Sequence, residues 1–268
     1  MEEAIRFNIL ADGDRHIRGK LAEMVFERVK DHLLQNLITC TPYEFVYAFN
    51  VSHTLKLDIR EITIKLKNEE GYLEYMLNEV EKGFNSLRED LGIKKTDCSE
   101  PLSRGCCILC GGKGEELIHS SDHTFYFLLC RECLNRCQEN GLIDNIHILR
   151  SEQYEHIIKL HELLRYKNVL ILLSKLEDEE IDFLKNVYLE DSSGHGQLPF
   201  DYIGTDGKGN KYLIDVTSTI TGSIAPLSKR EKEISKKAKA FGFKILQPVV
   251  YFLENWYVEV KLKEVEWV

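Results

Sequence analysis

The chain has 268 residues and a net charge of −9, with the hydrophobic and charged fractions of an ordinary globular protein. That length suits two domains, and no apolar run reaches the roughly 20 residues a membrane helix needs, so no membrane partner is expected. Met1-Glu2-Glu3-Ala4 has neither the basic start nor the apolar centre of a secretory signal, which points to the cytoplasm, or the nucleus in a eukaryote. The negative total argues against a protein coated in nucleic acid but leaves room for a local basic face.

Residues 15–37 carry a helical pattern, with Leu21, Met24, Val25, Val29, Leu33 and Leu34 at spacings of three and four. Thr39-Cys40-Thr41-Pro42 ends it, and Tyr43 to Asn50 is apolar and aromatic without a clear period. Leu55 to Ile64 alternates as a half-buried strand does, and Glu69 to Leu91 is helical again, with Leu73, Met76, Leu77, Val80, Phe84 and Leu87 on one stripe. These stripes read as core or subunit surface. They define residues 1–100 as a mainly helical N-terminal region that names no chemistry.

Six of the eight cysteines crowd into Cys106 to Cys137, after a polar linker, Asp97 to Gly105. In a chain without a signal peptide such clustering favours metal over disulfides. Cys107-x-x-Cys110 and Cys130-x-x-Cys133 have zinc-knuckle spacing, and four thiolates close a tetrahedral shell, which makes the expected Zn²⁺ structural. Cys106 and Cys137 are alternative ligands, and His119 and His123 lie between the knuckles. A knuckle, a hairpin through Phe125-Tyr126-Phe127, and a second knuckle opening a helix resemble a treble-clef finger, with text similar to the zinc module of Clp-type unfoldases. The finger is assigned to residues 101–143.

Residues 144–268 form the third region. Ile146 to Leu164 is amphipathic, Val169 to Leu173 is a continuous apolar run, and Asp178-Glu179-Glu180 opens an acidic helix. His195 sits in Gly194-His195-Gly196, a turn position that suits a hydrogen-bond donor to a phosphate or a general acid as well as no role at all. Phe200 to Ile203 and Tyr212 to Val216 flank Asp206-Gly207 and Gly209-Asn210, which reads as a hairpin. Each strand carries one aspartate, Asp201 and Asp215. A carboxylate among apolar strand residues is costly unless neutralised, and a divalent cation does that. Ser228 with Glu231 is a capping box that starts a helix to about Ala240, and two further strands follow. Lys229, Arg230, Lys232, Lys236, Lys237 and Lys239 on that helix make a face suited to a phosphate backbone.

Pro199-Phe200-Asp201 and Asp215-Val216-Thr217, with the lead-in Gly194-His195-Gly196 and the helix after Leu227, resemble the PD-(D/E)XK nuclease superfamily, here over roughly the last third of the chain. The resemblance implies an α/β fold, a restriction-endonuclease-like mixed sheet flanked by helices. It also implies a DNA endonuclease using Mg²⁺ or Mn²⁺ held by Asp201 and Asp215, with Glu180 as a further acidic ligand. Thr217 stands where the family has a lysine, so the expected catalytic set is Asp201, Asp215 and Thr217, with Lys229 or Lys236 restoring the positive charge. Cutting both strands with one site per chain would favour a homodimer. The alternative is a nuclease-like DNA-binding protein that grips without cutting.

Overall fold

A computed structural model describes residues 4–5, 15–34, 36–95, 105–120, 126–190, 198–220, 223–252 and 258–265. The protein is mixed α/β and divides into two compact units, residues 1–47 with 168–268, and residues 48–167. No helix among the described residues is long and apolar enough to cross a membrane.

The first unit is built on a seven-stranded mixed sheet. Its strands are β1 (Ala4–Ile5), β2 (Ile38–Cys40), β5 (Tyr202–Thr205), β6 (Lys211–Ile214), β7 (Thr217–Thr219), β8 (Phe243–Phe252) and β9 (Val258–Glu264). The order is β1-β9-β8-β6-β5-β2, with β7 also paired to β8. β5 and β6 are the expected hairpin, and β6 and β7 both run parallel to β8. Lys211 faces Phe243 and Thr217 faces Val249 at the same offset, so β6 and β7 are one strand interrupted at Asp215-Val216. Pro248 lies opposite that break. It has no N–H to give the ladder, which explains why a rung is missing in the middle of a ten-residue strand.

Helix α1 (Arg15–Leu33) covers one face of this sheet. Ala22, Val25 and Val29 pack with Val250, Phe252 and Val260, and Phe26 packs with Tyr202, Tyr212, Ile214 and Leu246. The buried stripe differs from the one expected: Met24 is 56 % exposed while Phe26 is fully buried. Two hydrophobic patterns overlap in this helix, and the one containing the largest side chain faces inward.

The apolar run Val169 to Leu173 lies in α7 (Lys167–Ser174) and is buried as expected except at Ile171, which is half-buried. It is followed by α8 (Asp178–Lys185) and a π-helical turn, Asn186–Glu190. Helix α9 (Lys229–Ala240) starts at the Ser228–Glu231 capping box and buries Ile234, Ser235 and Ala238, and Phe241 just beyond it stacks on Phe183.

The second unit holds most of α2 (Pro42–Thr54), α3 (Ile59–Asn68), α4 (Tyr72–Asp90), the hairpin β3 (Glu116–His119) and β4 (Tyr126–Leu129), α5 (Arg131–Glu139) and α6 (Glu152–Leu164). The alternation at Leu55 to Ile64 does not make a strand. Asp58 accepts hydrogen bonds from the Arg60 and Glu61 N–H groups and starts α3, which buries Ile59 and Thr63. A cap and a spacing of four outweigh a short run of alternation. Tyr43 to Asn50, undecided in sequence, is helical within α2. Helix α4 buries Met76, Val80, Phe84 and Leu87, and packs against α6.

Candidate functional site

Two places in the molecule gather groups that repel one another when ionised. The first is the finger. Cys107 and Cys110 flank a tight turn in which Gly111, at φ 81°, donates to the Cys107 carbonyl, and the Cys107 N–H returns to Gly112 O at 2.7 Å. Only glycine adopts that left-handed backbone freely. Cys130 precedes α5, and its sulfur accepts from the Cys133 N–H. The Gly112 N–H points at Cys110 Sγ, 3.3 Å away.

The four sulfurs of Cys107, Cys110, Cys130 and Cys133 lie within 4.8 Å of one another, and Cys110 Sγ and Cys130 Sγ are 3.7 Å apart. Among the described residues this is the one group of three or more metal-ligating side chains that converges. Burial pushes the Cys110 thiol up to about 11 and the Cys133 thiol rises beside Cys107. Cys107 goes the other way, held down to about 5, chiefly by the hydrogen bond from Cys133. A thiolate at Cys107 packed against three further sulfurs is a set that a bound cation would satisfy. Cys106 and Cys137 stand outside the group. Burial, with Cys107 and Cys130 near, pushes Cys137 up to about 12. His119 lies edge-on to Tyr126 on the hairpin, outside the four, and His123 falls outside the described residues.

Two arginines tie the finger into its unit. Arg88 is buried and its Nε donates to the Leu109 carbonyl between the first two cysteines. Arg136 donates to the carbonyls of Leu91 and Gly92 at the end of α4.

The second place is the open end of the β5–β6 hairpin. Tyr202 faces Ile214, and one step further stand Asp201 and Asp215. Phe200, just before Asp201, has φ 62°, a left-handed conformation that a large side chain holds only under constraint. The Asp201 N–H donates to Ile214 O, and the Asp215 N–H donates to Leu246 O. The backbone therefore fixes both carboxylates from the sheet.

Their partners are neutral. Asp201 Oδ2 accepts from the Val216 N–H at 2.6 Å, and Asp215 Oδ2 accepts from Gln247 Nε2 at 3.0 Å. Gln247 also donates to Ala225 O. Among the described residues neither carboxylate has a lysine or arginine partner. Burial, followed by the charge of Asp215, then of Glu23 and Glu231, raises Asp201 to about 7. Burial and Glu231 raise Asp215 to about 6.

The hairpin turn has a third aspartate with the opposite fate. Burial works against its charge, but Asp206 accepts from the Lys208 and Asn210 N–H groups, the Asn210 amide and the Tyr212 hydroxyl, and is held down to about 2. It is an internally satisfied turn residue.

The other residues expected at the site are distributed as follows. Thr217 is buried at the start of β7, two residues after Asp215. Lys229 and Lys236 lie exposed on α9, and neither bonds to the two aspartates; Lys237 and Lys239 are exposed there too, and Arg230 and Lys232 are half-buried. Glu180 accepts from the Glu177 N–H and pairs with Lys211 on β6, and Glu179 is exposed. Glu180 does not converge with the aspartates. His195 lies outside the described residues. Sequence reasoning missed Gln247 and Glu23. The signal for Gln247 was present, a single polar residue in the apolar run of β8; Glu23 has none, because a half-buried glutamate on an amphipathic helix is unremarkable.

Fold and site together define an α/β protein with a carboxylate pair at a sheet break in one unit and a four-cysteine knuckle in the other. No protein-family model matches the chain, and no curated protein or solved structure matches it.

Proposed function

We propose that the first unit is a divalent-metal-dependent DNA endonuclease and that the finger holds a structural Zn²⁺. The observation that supports hydrolysis is the placement of Asp201 and Asp215 side by side at the end of a hairpin, both buried enough to resist ionisation and neither neutralised by a basic side chain. Such a pair suits a cation better than water. Asp201 and Asp215 would hold it, with Glu23 and Glu231 adding negative charge. Mg²⁺ or Mn²⁺, when bound, lowers the pKa of a coordinated water and offsets charge on a phosphate.

The chain's own residues supply the orientation. The Val216 N–H fixes one carboxylate and Gln247 the other, and the Thr217 hydroxyl, two residues on, would align the attacking water. Water adds to phosphorus, one P–O bond breaks, and a phosphate end and a hydroxyl end result. The lysines of α9, beginning next to Glu231, would meet the backbone, with Lys229 or Lys236 supplying the charge that Thr217 lacks. For the finger, Zn–S bonds of about 2.3 Å in a tetrahedron put sulfurs about 3.8 Å apart; the 3.7 Å between Cys110 and Cys130 suits that ion.

The test is Mg²⁺- or Mn²⁺-dependent cleavage of DNA by the wild type and by Asp215→Ala. Loss of about 10³-fold or more in the variant supports the mechanism, and equal cutting by both ends it. The threonine at position 217, with no lysine beside the pair, favours one other reading, a protein that grips DNA without cutting. Salt-sensitive, metal-independent binding with no cleavage would select that reading.

A further inference from the structure

A cleft of about 650 Å³ opens one residue beyond the carboxylate pair, between the first turns of α1 and residues 216–220 and 223–226. It begins at Val216, whose N–H holds Asp201. Its polar lining is Arg18 with Thr217, Ser218, Thr219 and Ser223. Ile220, half exposed, and Pro226 give it an apolar side.

The wall on α1 contains Gly19, inside the helix. Glycine there weakens a helix relative to alanine, so it needs a reason. Packing gives none: a Cβ built at Gly19 meets nothing within 4 Å. The space a side chain would occupy is the cleft itself. A glycine at this wall lets a ligand approach the helix backbone closely.

Resting on the nuclease reading, we infer that this cleft seats the nucleotide flanking the reacting phosphate in a nucleic-acid strand. Arg18 with Ser218 and Ser223 binds its phosphate, and the apolar side takes its base. The size fits: ligand cavities span about 300–1,000 Å³, and this one lies within that range. The chemistry fits as well, since a guanidinium and several hydroxyls suit a phosphodiester while an exposed aliphatic face covers a base without hydrogen bonds that would read it. Contact of this kind positions a strand without reading its sequence.

The experiment is fluorescence anisotropy with a labelled 12-nucleotide single strand, on the full chain without added divalent ion, comparing wild type, Gly19→Trp, Arg18→Ala and Ile220→Glu. Thermal melts verify folding, and Ile220 is exposed enough that its variant serves should Gly19→Trp not fold. The expected result is salt-dependent binding by the wild type and a tenfold or greater weakening in each variant. Wild-type affinity in folded Gly19→Trp or Ile220→Glu overturns the cleft, as does no binding by the wild type. The two readings separate: cleavage that survives Gly19→Trp keeps the hydrolase and removes the cleft, whereas cleft-dependent binding with no cleavage under Mg²⁺ keeps the cleft and removes the hydrolase.

Discussion

The finger and the hairpin end solve the same electrostatic problem with different means. In the finger, four sulfurs come from two short motifs, and each motif carries its own turn, so local sequence sets most of the geometry. At the hairpin end, two carboxylates meet because β5 and β6 are in one register and β8, which follows α9 in the chain, supplies Gln247. The finger's ligand set is closed. The carboxylate pair leaves positions open, and a cleft starts beside it. The lesson is that a closed site is written in spacing, and an open one in topology.

The sharpest way to break this comparison is to remove the metal from the finger. Chelation strong enough to strip zinc, or Cys133→Ser, is expected to unfold residues 105–150, since structural zinc in small fingers contributes about 10 kcal/mol or more at neutral pH. Hydrogen exchange would show protection lost there, with metal analysis finding one zinc per chain before treatment and none after. Protection unchanged after zinc loss would make the cysteines ordinary core thiols.

The carboxylate pair should respond in the opposite sense, because its unligated state is strained. Asp201→Asn is expected to stabilise the first unit by about 1–3 kcal/mol at pH 8 while abolishing divalent-ion binding. The pH dependence follows from the raised values of about 7 and about 6. Between the unfolded carboxyl value of about 4 and those folded values, the native state holds more protons than the unfolded chain, so stability falls as pH rises through that window. The variant's advantage should therefore shrink towards zero near pH 4, as melts across pH would reveal. A divalent ion should raise the melting temperature at pH 8 more than at pH 5.5, where protons compete for the same oxygens.

Gln247→Leu probes how the pair is held. It leaves the Ala225 carbonyl and Asp215 without their donor, and should cost about 1–2 kcal/mol and push Asp215 higher still. NMR titration of the carboxyl would report the shift; an unmoved Asp215 would mean that the glutamine only fills space. The smallest effect is expected at a cap that neither site uses: Asp58→Ala should lower stability by about 1 kcal/mol through α3, measurable by denaturant titration.

How much of this was readable in the residues follows the same division. The knuckles, the hairpin, the capping box of α9 and the mixed α/β class rest on signals within a few residues of one another, and all are present. Leu55 to Ile64 misled because alternation over ten residues also fits a helix that buries Ile59 and Thr63, and Asp58 decides between them. The helix at 15–33 was read as part of a separate N-terminal region, yet it packs on strands formed more than 180 residues later. No local pattern encodes that pairing. Glu180 looked poised for a metal from its place before the hairpin; its neighbour Lys211 is visible only once β6 is placed.

Pro248 carries one more consequence. An unbroken ladder from Lys211 to Thr219 would stiffen the segment holding Asp215 and draw every backbone group into the sheet. The imino acid leaves a gap at the step where the chain presents acidic oxygens and, one residue on, begins to line a furrow. A lesion in regularity thus becomes a fixed aperture, set by the covalent structure of one ring and insensitive to ionic strength or pH.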